Sequence, residues 1–202
     1  MGGRGSYSGK AKSYGPLGKK VLNYNQDDPY DMQELTEDCN PNYASGKKGY
    51  TINCQRCIVA MEARMQGDDV EALSARQNDK YARKNRWAKF FGKSPNSVKR
   101  VNDPWEESTV ESTKTKILKK MGEWGPHSRA VLSIDWNDRN YGHVMTLVNT
   151  SLGVALFDPQ NAKTYSLDTI LSKSILNTVT MLRVDDSNLD NDYIKDAVKT
   201  KG

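Results

Sequence analysis

The chain has 202 residues, of which 36% are hydrophobic, with a mean hydropathy of −0.79 and a formal charge of +5. That length suits one domain, no apolar run approaches the roughly 18–20 residues that span a bilayer, and three cysteines are too few for a disulfide scaffold. Lys and Arg are interspersed with Asp and Glu and lack the aromatic platforms of nucleic-acid sites, so neither a membrane nor a nucleic acid is the expected partner.

Residues 1–30 are rich in Gly, Ser, Lys and Tyr. Such a stretch buries too little surface to offset its ordering entropy and reads as a flexible basic tail, which leaves 31–202 as the expected domain. The basic start is not followed by the apolar segment of a cleaved signal. The expected location is therefore the cytoplasm of the producing cell, or a virion or host cell reached without such a signal. Residues 31–52 read as irregular, with turn signals at Asn40-Pro41 and Ser45-Gly46.

A helix is predicted from Asn53. Cys54, Cys57, Ile58, Met61 and Met65 recur at helical spacing, Asn53 suits the N-cap, and Gly67 suits the stop. Residues 76–91 suit a charged amphipathic helix carrying Tyr81, Trp87, Phe90 and Phe91. Residues 93–107, with Pro95 and Pro104, read as a loop. Residues 109–121 suit a helix with Ile117, Leu118 and Met121 on its apolar side, broken at Gly125-Pro126.

Beyond this point the period becomes strand-like. RAVLSIDW (129–136), HVMTLVNT (143–150) and GVALFDP (153–159) are short β-rich runs, the last two joined by a turn from Asn149 to Gly153. A short helix over 167–174, a strand over 178–186 and a closing helix over 188–199 complete the reading. Helices followed by an antiparallel sheet define an α+β class. Trp124 and Trp136 are expected in the core, whereas Trp87 and Trp105 are candidates for a substrate-facing wall.

The pair in Asn-Cys-Gln-Arg-Cys admits three readings. Buried cysteine is a common small hydrophobe. Cys54 and Cys57 also have zinc-ligand spacing, with Cys39 and either His127 or His143 to complete a set, but a second close-spaced pair is missing. Alternatively, a thiol on the first turn of a helix faces unpaired N–H groups and the positive end of the dipole, which favour thiolate and can hold an oxyanion. His143 starts one β-rich run and Asp158 ends the next. A hairpin turning at 150–153 sets them about opposite, so Asp158 can orient an imidazole whose other nitrogen meets a thiol.

NCQRCIVAMEARMQGDDVEAL, GHVMTLVN and FDPQNAKTY, in that order, resemble the papain-fold toxin family of predicted protein-glutamine deamidases. The likeness covers roughly residues 39–186. It implies a papain-like fold in which helices carrying the nucleophile pack on an antiparallel sheet, a cysteine nucleophile with His and Asp partners, and no metal or organic cofactor. The family pattern contains both cysteines. Cys54, next to the N-cap, is the preferred nucleophile, and Cys57 is the alternative by analogy with the papain motif CGSCW. Gln160 is a candidate donor to the site, as are Asn53 and Gln55. The implied substrate is a protein glutamine, with a peptide bond as second choice. Members occur in bacterial toxins and phage head-associated proteins, and MGGRGSYSG is similar to the start of small phage-encoded virion proteins. A virion or an immunity protein is thus an expected partner. The rival to the enzyme is a non-catalytic, zinc-stabilised virion or host-interaction module.

Overall fold

The computed structural model describes residues 23–76, 79–83 and 85–201. The bulk of the expected tail, including MGGRGSYSG, lies outside these residues. Packing begins upstream of residue 31. Helix α1 spans Pro29–Cys39, with Asp28 accepting from the Tyr30 amide and Pro29 opening the first turn. Its fixed φ suits that position. Met32, Leu35, Thr36 and Cys39 are its buried stripe. This corrects the irregular reading of 31–52: the i, i+3, i+4, i+7 pattern was present but was interrupted by charged residues.

Helix α2 spans Cys54–Met65 and is buried along nearly its whole length. It ends in a double hydrogen bond, Gly67 N to Arg64 O at 2.9 Å and Asp68 N to Ala63 O at 3.0 Å, with Gly67 at φ 102°. That left-handed position is the reason for glycine there. Strand β1 (Val70–Ala72) follows. The helix expected over 76–91 is instead two 3₁₀ segments, Lys80–Ala82 and Arg86–Phe91. The apolar residues Tyr81, Trp87, Phe90 and Phe91 are all buried, and their spacing is met by a wrapped loop as well as by a helix. Trp87 is core, not a substrate wall; Trp105 is exposed. Residues 93–107 contain a 3₁₀ turn, Pro95–Ser97, and strand β2, Lys99–Arg100.

Helix α3 (Val110–Trp124) begins with a capping box between Thr109 and Ser112. Ile117 and Met121 are buried, but Leu118 is 38% exposed, against expectation. Strands β3 (Arg129–Asp135), β4 (Gly142–Thr150), β5 (Gly153–Asp158), β6 (Lys163–Tyr165) and β7 (Thr180–Arg183) join β2 in an antiparallel sheet of order β2-β7-β3-β4-β5-β6. Helix α4 (Leu167–Leu171) lies between β6 and β7 in the chain. The closing helix shrinks to α5 (Asn191–Ile194), because Val198–Thr200 forms β8, antiparallel to β1.

Alternation divides the sheet's side chains between two cores. Val131, Val144, Val148, Phe157 and Leu182 meet the α1–α2 side, while Leu132, Met145, Leu147, Leu156 and Met181 meet the α3–α4 side. The result is an α+β domain with its N-terminal helices on an antiparallel sheet, the class expected from the sequence. Two arginines, Arg64 buried and Arg129 partly buried, fix α2. Arg129 on β3 grips Glu62 with Nε at 2.8 Å and Nη2 at 2.7 Å. Arg64 is 1% exposed and binds Asp69, Asp38 and the Tyr24 hydroxyl at 2.8, 2.6 and 2.7 Å. Such pairs cost desolvation, but the bidentate grip of Arg129 and the three separate partners of Arg64 leave little freedom in where the helix sits.

Candidate active site

The β4–β5 hairpin sets one half of the site. Its ladder pairs Thr150 with Gly153 and Thr146 with Phe157. Continuing that register puts Asp158 opposite Met145 and Gln160 opposite His143. His143 and Asp158 are thus diagonal, two residues off the expected direct pairing. A period of two keeps them on one face, and a diagonal pair remains within reach of long side chains. His143 Nε2 meets Asp158 Oδ2 at 2.8 Å. Asp158 Oδ1 accepts from the Gln160 amide at 3.0 Å, which fixes the carboxylate from its other side. Both side chains are buried, His143 10% and Asp158 3% exposed.

Gly142 admits this arrangement. A Cβ there would lie 2.5 Å from both the Ile134 carbonyl oxygen and Asp135 Oδ1. Only glycine lets β4 start this close to β3, one residue before the histidine. Trp136, from the end of β3, stacks on the His143 ring with centroids 6.0 Å apart and planes 22° apart. Trp136 is therefore a partly buried neighbour of the site. Trp124 is also partly buried, at the edge of the second core, not within it.

The α2 start supplies the other half. Asp158 holds Nε2 of His143, and Cys54 is near enough to the imidazole to act on its charge. Burial pushes the imidazole toward neutrality, but its hydrogen bonds with Asp158 and Cys54, together with their charges, outweigh that and raise its pKa to about 10. Cys57 has no exposed surface. Burial first, then the neighbouring Cys39, Cys54 and Asp158, push its thiol well above the ordinary range. Cys39 is buried, donates to the Leu35 carbonyl at 3.1 Å and is pushed up to about 12 by burial. All three thiols are free. No group of three or more His, Cys, Asp or Glu among the described residues has metal-holding geometry, so the proposed zinc set has no counterpart there. His127 is elsewhere, 3.8 Å from Asp27.

The expected cap is corrected. Asn53 precedes α2, but its side chain does not cap it. Instead its Nδ2 donates to the Leu73 carbonyl at 3.0 Å. The cap comes from Gln160: with its amide oxygen turned to the helix, Oε1 accepts from Asn53 N at 2.9 Å and Cys54 N at 3.0 Å. The opposite orientation would leave that oxygen facing only acceptors. Asn40, read from sequence only as part of a turn, completes the support. Its Nδ2 donates to the carbonyls of Tyr50 and Gln160 at 2.9 and 2.8 Å. A cluster of three buried amides, Asn40, Asn53 and Gln160, thus lies behind the thiol. The amides of Arg56 and Cys57 bind the Asn53 carbonyl. Among the described residues, the Gln55 amide is the first-turn donor left without a partner.

Residues 52–163 match the family model described as papain fold toxin 1, glutamine deamidase. The chain belongs to that family. The matched span takes in α2 and both strands of the hairpin, and so Cys54, His143, Asp158 and Gln160. No curated protein and no solved structure matches the chain significantly. No helix among the described residues of this papain-fold toxin 1 member is long and apolar enough to cross a membrane.

Proposed function

We propose that the protein hydrolyses the side-chain amide of glutamine in a protein substrate, with Cys54 as nucleophile, His143 as acid and base, and Asp158 as the group that orients the imidazole. The observation that carries this reading is the His143 ring, held at Nε2 by Asp158 and neighboured by Cys54. The Cys54 thiolate attacks the glutamine Cδ and forms a C–S bond. The oxyanion is met by the Gln55 N–H. The imidazolium proton passes to the departing nitrogen, and ammonia leaves a thioester. His143 then takes a proton from water, which attacks the thioester. Glutamate departs and the thiolate is restored.

A peptide bond is open to the same chemistry, but burial favours the side-chain amide. Cys54 is 6% exposed. A carboxamide on a slender side chain enters such a site, whereas a peptide bond must bring main chain in on both sides. The family's glutamine chemistry points the same way. We place the toxin's target in a second cell or compartment, reached from a producing cell that an immunity protein or packaging in a virion protects.

The test is ammonia release together with the glutamine-to-glutamate mass increment on glutamine-containing proteins. Conversion that is lost in Cys54→Ala and His143→Ala is expected. Cleaved backbone without glutamate formation would replace deamidation by proteolysis. No conversion on any substrate would leave the non-catalytic module.

A further inference from the structure

Away from the catalytic groups, a cavity of about 530 Å³ opens between β2, β7, α3 and the segment after Phe91. That volume is within the range of specific ligand sites. Six cations line it, Lys93, Lys99, Arg100, Lys116, Lys120 and Arg183, and no Asp or Glu is among its lining residues. Val101, Met181 and Trp124, all packed with the α3-side core, give it an apolar lining.

The cations are not equally engaged. Lys93, Lys116, Lys120 and Arg183 have carboxylate partners at the rim, Asp186, Glu106, Glu123 and Asp185. The solvent-facing pairs of Lys116 and Lys120 contribute about 0–1 kcal/mol each, whereas Arg183 is held by both carboxylate oxygens of Asp185. Lys99 and Arg100 have only carbonyl partners among the described residues, Asn96 at 3.0 Å and Asn177 at 3.2 Å.

The sheet's register places this cavity relative to the reaction. Arg100 pairs with Thr180, Thr180 with Ser133, and Ser133 with Val144, the residue after His143. Three strand spacings, about 14 Å within the sheet, separate this edge from the strand that carries His143. We propose that the cavity is an exosite for an acidic segment of the protein substrate, seated with one apolar side chain on the apolar lining. The proposal rests on the deamidase reading above. Charge complementarity selects an acidic occupant, and the apolar lining distinguishes it from a simple inorganic anion.

Fluorescence anisotropy with the full chain tests binding without turnover. Three labelled peptides serve as probes: Glu-Glu-Glu-Phe-Glu-Glu, the same with Gly for Phe, and a Lys-for-Glu version. The Phe-bearing acidic peptide should bind best and weaken with salt. Charge reversal in Lys99→Glu/Arg100→Glu, both exposed positions, should weaken it about tenfold. In turnover, the double variant should raise KM about tenfold for a glutamine-bearing protein substrate that carries such an acidic run. It should leave kcat unchanged, and carbobenzoxy-Gln-Gly unaffected. Equal binding of all three peptides, displacement by ADP without peptide preference, or indifference to the double variant would overturn the exosite. Absence of turnover on every substrate, with peptide preference intact, would overturn the deamidase reading instead.

Discussion

His143 Nε2 lies 2.8 Å from Asp158 Oδ2, although the hairpin register makes the two residues diagonal and not opposite. The imidazole, buried against a carboxylate and a thiol, is held in its charged form. Burial alone would lower its pKa, but the two partners raise it to about 10. The unfolded value is about 6.5. Because the folded value is raised, the resulting stability is complete below about 6.5 and is lost as pH rises through about 10. In NMR of isotope-labelled histidine, the His143 ring should remain imidazolium at about pH 8. Asp158→Asn should return its titration toward neutrality and lower turnover by about 10²–10⁴-fold. A wild-type His143 resonance titrating near the ordinary value would overturn the ion-pair description.

The two cysteines of the first turn should behave oppositely. Cys54 meets the imidazole, whereas Cys57 is wholly buried with its thiol held neutral. Iodoacetamide with peptide mapping should modify Cys54 fast below neutral pH, and His143→Ala should slow it. Cys57→Ala should keep activity and cost about 1 kcal/mol of stability by emptying a small volume. Preferential labelling of Cys57 would reverse the assignment.

Gln160 separates a cap from an oxyanion donor. Its oxygen on Asn53 N and Cys54 N makes it an acceptor that holds the nucleophile's own amide. Gln160→Leu should lose about 0.5–2 kcal/mol in thermal or urea unfolding, as a lost N-cap does. Gln160→Glu retains both acceptors and should preserve most of that stability. Its turnover loss should fall well short of the ~10²–10³ caused by removing an oxyanion donor. A loss of that size in a stably folded Gln160→Glu would show that the side chain donates in the reaction.

The Arg129–Glu62 pair ties α2, and with it Cys54, to the sheet that carries His143. Removing one partner strands a buried charge. Glu62→Leu should destabilise the protein by about 3–5 kcal/mol in urea unfolding. Replacing both by Leu and Met should recover much of this loss but leave turnover depressed, because packing alone does not fix the helix's position. Full activity in the double variant would deny the pair a positioning role.

Gly142 makes a subtler case. A methyl group there collides with the β3 backbone at Ile134. Gly142→Ala should shift the start of β4, and kcat should fall with little change in KM. Unaltered kcat would mean that the strand start absorbs the methyl.

Local signals in this sequence were strong enough to determine α2, α3 and the β4–β5 hairpin. An apolar stripe at helical spacing and a turn between β-rich runs each act within a few residues. The order of Cys54, His143 and Asp158 was legible for the same reason. Local pattern did not fix what lies far apart in the chain. The closing segment 198–200 pairs with residues 70–72 as a strand, because β1 offers it an open edge that no local propensity announces. Tyr81, Trp87, Phe90 and Phe91 fit a helical period, yet the core takes them from tight 3₁₀ turns. Asn53 has the residue type of an N-cap, but its side chain finds Leu73, and the cap is supplied from 107 positions along the chain by Gln160. The proposed choice of Cys54 over Cys57 likewise rests on packing: both occupy the same turn, and tertiary structure alone brings Cys54 near the imidazole and fully encloses Cys57.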